Sequence, residues 1–164
     1  MSEKKNITVA FTGHRNYSHE ADAELCQLLR ELYAEGFRRF LCGMAWGFDL
    51  AAGEAILRLK REFGDVELVA VVPYVEFGAL FRGSDAECYR RIESGADCRV
   101  VVCANPSEQS YLRRNDFLVD NSSVVVAWWN RVPHGGTAYT IRRARHAQLR
   151  IINLFPDQQL KLDI

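Results

Sequence analysis

Apolar and polar positions follow two rhythms along this chain, short runs of continuous apolar residues and longer stretches with helical spacing. The first run, Ile7-Thr8-Val9-Ala10-Phe11-Thr12, is β-branched and almost wholly apolar, the pattern of a strand buried on both faces of a parallel sheet. Residues 20–35 then place Ala23, Leu25, Leu28, Leu29 and Leu32 on one helical side, and Gly36 follows where a C-cap glycine would stand. The same alternation predicts a strand over 37–42, a helix over 49–63 stopped by Gly64, and a strand over 66–72 ended by Pro73. A looser aromatic stretch, 74–83, precedes a helix over 85–94, for which Ser84 and Glu87 have capping-box spacing. Strands over 99–103, 123–128 and 150–155 and helices over 111–120 and 137–148 complete the series. Strand and helix alternate throughout, which predicts an α/β fold: a three-layer, doubly wound, mostly parallel sheet of Rossmann-like type.

A length of 164 residues fits one domain over 1–164, with its core at about 7–155 and a polar tail from Pro156. The 21 basic and 21 acidic residues cancel to a formal charge of zero, which argues against a broad basic surface for nucleic acid. No run has the length of a membrane span, and the polar start Met1-Ser2-Glu3-Lys4-Lys5-Asn6 moves straight into the first strand without the pattern of a signal peptide. The cysteines (Cys26, Cys42, Cys88, Cys98, Cys103) are odd in number and lack a Cys-x-x-Cys pair, and most have apolar neighbours. They read as small buried thiols of a reducing, cytoplasmic compartment; no Cys and His pairing has zinc-ligand spacing, so no metal is expected.

Glycine turns carry the candidate chemistry. The chain lacks Gly-x-Gly-x-x-Gly after its first strand, has no P-loop and no Gly-x-Ser-x-Gly elbow. It has three strand-to-helix turns instead: Thr12-Gly13-His14-Arg15, Gly43-Met44-Ala45-Trp46-Gly47-Phe48-Asp49 and Gly135-Gly136-Thr137. In a parallel sheet all three fall on the carboxyl edge and converge on one crevice. Gly135-Gly136-Thr137 offers flexible backbone, a hydroxyl and free N–H groups at a helix start, the makings of a phosphate cradle, with Thr137 as an N-cap in the plainer reading. His14 and Arg15 bring donors for a phosphate or ribose, and Trp46 a face for a base or a piece of core. Asp49 stands where an N-cap carboxylate would, or where a ribose acceptor would.

Thr12-Gly13-His14-Arg15, Gly43-Met44-Ala45-x-Gly47-x-Asp49, Arg114-Asn115 with Val119-Asp120, and Gly135-Gly136-Thr137, in this order, resemble the YpsA-like branch of the SLOG superfamily, whose Rossmann-like fold is shared with LOG proteins and DprA. The likeness runs from about Ile7 to Leu154. It implies a nucleotide-derived ligand of the ADP-ribose or NAD kind. Gly13, His14 and Arg15 would line one side of its pocket, Gly43, Gly47 and Asp49 its floor, Gly135, Gly136 and Thr137 would hold the phosphate, and Arg114 and Asn115 would complete it. Two segments depart from the pattern. The loop after the third strand reads Pro73-Tyr74-Val75-Glu76-Phe77, without the Pro-Phe, Gln and Trp of the branch. The Gly-Gly turn lacks the glutamate that follows it in catalytic LOG phosphoribohydrolases, and N-glycosidic cleavage needs a carboxylate to assist departure of the base.

The expectation is therefore a nucleotide-binding sensor or regulatory domain and not an enzyme. The alternatives are a nucleotide N-glycosidase using Asp49, and a DprA-like single-stranded DNA binder using Arg113, Arg114, Arg142, Arg143 and Arg145. Trp128-Trp129 either pairs subunits into a homo-oligomer or finishes the fifth strand.

Overall fold

Each of the six apolar runs forms a strand, and every neighbouring pair is parallel. In the computed structural model, which describes residues 2–157, the strands are β1 (Thr8–Gly13), β2 (Arg39–Cys42), β3 (Glu67–Tyr74), β4 (Cys98–Cys103), β5 (Val124–Trp128) and β6 (Arg150–Asn153). The helices are α1 (Ser2–Asn6), α2 (Asp22–Ala34), α3 (Phe48–Glu62), α4 (Gly83–Gly95), α5 (Glu108–Asp120) and α6 (Gly136–His146). The sheet order is β4-β3-β2-β1-β5-β6. The chain thus winds outward from β1 in one direction through β4, then returns to the other side of β1 with β5, which puts the switch point between β1 and β5.

Successive residues of a strand point to opposite faces, and both faces of this sheet are covered. Val9, Phe11, Phe40, Leu68, Ala70 and Val72 pack with Leu25, Leu29 and Leu32 of α2, Ile56 of α3 and Ile92 of α4. Ala10, Leu41, Val69 and Val71 pack with Leu118 of α5, while Val125 packs with Val119 of α5 and Ala144 of α6. The three-layer expectation holds, and the sheet is wholly parallel instead of mostly so.

Departures from the sequence reading are local. The polar start does not run straight into β1 but forms the short α1, tied to the strand by a bond from the Thr8 hydroxyl to the Lys4 carbonyl. β3 passes through Pro73 to Tyr74: β2 pairs with β3 only as far as Ala70, so the missing proline N–H interrupts no ladder on that side. Ser84 and Glu87 form no capping box, because α4 begins earlier, at Gly83, after an uncapped Arg82. The box belongs to α5: Ser107 Oγ accepts from Ser110 N at 3.2 Å and Ser110 Oγ from Ser107 N at 3.0 Å, which starts that helix at Glu108 and not at Tyr111. Of the cysteines only Cys42 is buried; Cys26, Cys88 and Cys103 are half-buried and Cys98 is exposed. Trp128 finishes β5 and packs inward on Tyr17 and Phe155, while Trp129 is half-buried beneath the Arg145 guanidinium. Of the polar tail, Pro156 and Asp157 are exposed and 158–164 lie outside the described residues. No helix among the described residues is long and apolar enough to cross a membrane.

Candidate functional site at the switch point

The turns after β1, β2 and β5 meet at the carboxyl edge because two of them are locked together by backbone. Phe48 N, opening α3, donates to the His14 carbonyl at 3.2 Å, and His14 N donates to the Trp128 carbonyl of β5 at 3.3 Å. Gly47 makes the first contact feasible. Its φ is +75°, and a Cβ there would stand 2.5 Å from the Arg15 carbonyl oxygen.

Between these turns lies a cleft of about 420 Å³. It brings together Thr12, Gly13, His14, Arg15, Ala45, Asp49, Arg114, Asn115, Gly135, Gly136 and Thr137 from four separate stretches of sequence. Four of the expected site residues lie elsewhere. Gly43 and Met44 are fully covered beneath the floor, and Trp46 and Gly47 face a neighbouring crevice across Arg15. Trp46 offers no bare face for a base: Phe81 stacks on it at 4.1 Å and the Arg15 guanidinium lies 5.0 Å from its ring centre.

The floor is a buried polar set. Arg114 Nη1 donates to the Gly43 carbonyl and Nε donates to Asn115 Oδ1 at 2.8 Å. A Cβ on Gly43 would fall 2.8 Å from Asp49 Oδ2 and 3.3 Å from Arg114 Nη1, so the bare Cα is what lets both charges crowd around this turn. Asp49 does not cap α3. The helix begins at Phe48 after Gly47, and Asp49 Oδ2 turns back to accept from Ala45 N at 3.2 Å. Burial pushes its carboxyl up to about 6, against the opposing pull of Arg114, the Ala45 N–H and Arg15. Burial likewise weakens the hold of Arg114 on its proton, with Asp49 opposing.

On the rim, His14 Nε2 accepts from Asn130 N at 3.0 Å. That bond requires the neutral ring with its proton on Nδ1, and burial, partly offset by the Asn130 side chain, keeps the imidazole below its usual range. His14 therefore has one donor for a ligand instead of the two of an imidazolium. Thr137 is not the N-cap of α6; that place is taken by Gly135, at φ +96° and ψ 175°, a region open essentially to glycine alone. No side chain caps this end, and the first-turn N–H groups of Gly136, Thr137 and Ala138 have no carbonyl within the helix.

Tyr111 and His134 also line the cleft and were not singled out from sequence. His134 directly precedes the glycine pair, a signal available in the sequence. Tyr111, in the first turns of α5, has its ring 6.0 Å from the Arg15 guanidinium and its hydroxyl 3.3 Å from that of Tyr74. Of the arginines expected to meet a DNA strand, Arg114 of α5 is inside the site, Arg143 of α6 pairs with Asp116 and Asp120, Arg142 donates to the Pro133 carbonyl, Arg145 lies over Trp129, and Arg113 is exposed.

Comparison with known proteins agrees with this architecture. The UPF0398 protein YpsA of Bacillus subtilis is 23% identical over 112 residues, covering 67% of this chain and 62% of that protein. The prophage-derived protein YoqJ of Bacillus subtilis is 26% identical over 156 residues, covering 86% of this chain and 91% of its own. DNA processing protein A of Helicobacter pylori, whose structure describes a single-stranded DNA binding mode, superposes with a TM-score of 0.62 at 19% identity. That superposition covers 90% of this chain and 64% of the other, so the chain spans less than two thirds of both YpsA and DNA processing protein A. The model of the YspA SLOG family matches residues 9–156, nearly the whole chain. The chain belongs to the YspA SLOG family.

Proposed function

We propose that the protein binds a nucleotide-derived ligand of the ADP-ribose or NAD type in the switch-point cleft and serves as a sensor or regulatory domain. The observation that carries this reading is the start of α6. Its uncapped N–H groups open onto a cleft of about 420 Å³ at the switch point, where partial positive charge attracts a phosphate. A volume of this size lies within the range of small-molecule sites. Asp49 is the one carboxylate among the described residues that line the cleft, and it is held by Ala45 beside Arg114. Among those residues Asp49 has no second carboxylate in the cleft with which to divide the acid and the base or nucleophile roles, and this supports binding over N-glycosidic turnover. Calorimetric titration with ADP-ribose, NAD and AMP tests the reading: saturable heat with at least one is expected, and none at millimolar ligand overturns it.

A second reading is single-stranded DNA. It is favoured by the exposed Arg15, an unpaired cation at the mouth of the cleft that suits a phosphate of the strand, together with the fold shared with DNA processing protein A. This weighs against the expectation that nucleic acid plays no part. A gel-shift series across salt decides it: retardation that fades with added salt supports a strand, and no retardation at low salt removes it.

A further inference from the structure

A second crevice, of about 550 Å³, adjoins the switch-point cleft, and Arg15 is the one residue that lines both. Its guanidinium is exposed, pairs with no carboxylate among the described residues, and rests on an aromatic shelf, 5.0 Å from Trp46 and 6.0 Å from Tyr111. At its far wall, Asp22 Oδ1 accepts from the Tyr17 hydroxyl at 2.5 Å and Oδ2 meets His19 Nδ1 at 2.7 Å. The His19 side chain is 79% exposed, and its Nε2 has no protein partner among the described residues. Between this wall and Arg15 the crevice is lined by Leu50 and Ala51 at the start of α3 and by charged groups, Arg58, Asp85 and the Glu54–Arg91 ion pair.

We infer that the second crevice is the subsite for the distal half of a two-lobed nucleotide, with Arg15 straddling the anionic bridge between the halves. This rests on the proposed binding of a phosphate at α6. Arg15 lines the same cleft as that helix start and the second crevice as well, so an unpaired cation stands where the two meet, as a bridging pyrophosphate needs. Beyond Arg15, a polar wall and an imidazole held in one orientation by a carboxylate suit the hydroxyls of a second ribosyl group. A mononucleotide fills the first cleft only and leaves these groups unused.

Affinities for AMP and ADP-ribose, measured on the wild type, on His19→Ala and on Ala51→Trp, test the inference. One charge-oriented hydrogen bond and the buried sugar favour ADP-ribose over AMP by about ten- to a hundred-fold. His19→Ala, at an exposed side chain, and Ala51→Trp, which fills the crevice, both collapse that ratio while AMP binding persists. Equal affinity of the wild type for the two ligands, or a ratio unmoved in both variants, overturns the subsite and leaves nucleotide binding intact. Binding of neither ligand to the wild type overturns the nucleotide reading itself, and the subsite with it.

Discussion

Asp49 is the residue on which the electrostatics of the site turn. Burial lifts its carboxyl from 3.8 to about 6, so the folded chain holds this proton more tightly than the unfolded chain does. Its contribution to stability is complete below the unfolded value and is lost as pH rises through about 6. The salt-bridged Glu35 and the hydrogen-bonded Asp65 and Asp97, held low, act in the opposite sense and lose stability as pH falls. Those groups are common to wild type and Asp49→Asn, so the difference between the two isolates Asp49. Urea denaturation at about pH 5 and about pH 7 is expected to show the variant gaining on the wild type as pH rises; a flat difference contradicts burial as the controlling cause. A glycine pair gives a second test. Gly135→Ala forces a side chain into a glycine-only conformation at a cost of about 1–3 kcal/mol. A Cβ on Gly136 meets only Asn115 Nδ2, at 3.7 Å, so Gly136→Ala is expected to leave the melting temperature nearly unchanged.

The ends of α2 and α6 show how much of an element its sequence declares. In α2, Gly36 N bonds to the Tyr33 carbonyl and Phe37 N to that of Leu32; in α6, Gln148 N and Leu149 N bond to the carbonyls of Arg145 and Ala144 in the same pattern. Both helices close in a Schellman motif through a left-handed residue, Gly36 at φ +110° and Gln148 at φ +59°. The first end was legible because glycine marks it. The second was not, since a glutamine carries no such mark, and the helix was expected to run on to 148. Gln148 is exposed and strained, so Gln148→Gly is expected to stabilise the chain by about 1 kcal/mol, read by urea denaturation; destabilisation would contradict this closure. The start of α5 was hidden for a related reason, because its box uses Ser110 in place of the usual glutamate or glutamine. Ser107→Ala is expected to cost about 1 kcal/mol and Ser84→Ala next to nothing, and the reverse order would move the cap back to α4.

At the scale of the molecule, the parallel sheet is what made the site readable. Continuous apolar runs announced buried strands, and parallel strands oblige the turns after β1, β2 and β5 to share one edge. Arg114 and Asn115 were placed by motif resemblance alone, since nothing in their spacing says that α5 crosses behind the β2 turn. The second crevice was not legible at all, because it arises where α2, α3 and α4 pack against one another across the sequence. The central claim is that a nucleotide sits at the switch point with its phosphate on α6, and amide chemical-shift mapping during titration with ADP-ribose tests it most directly. The account predicts the largest shifts at Gly13, Arg15, Gly135, Gly136 and Thr137. Shifts confined to the broad groove between α3 and α4, around Lys60, Arg61 and Arg90, or no shifts at saturating ligand, would contradict it.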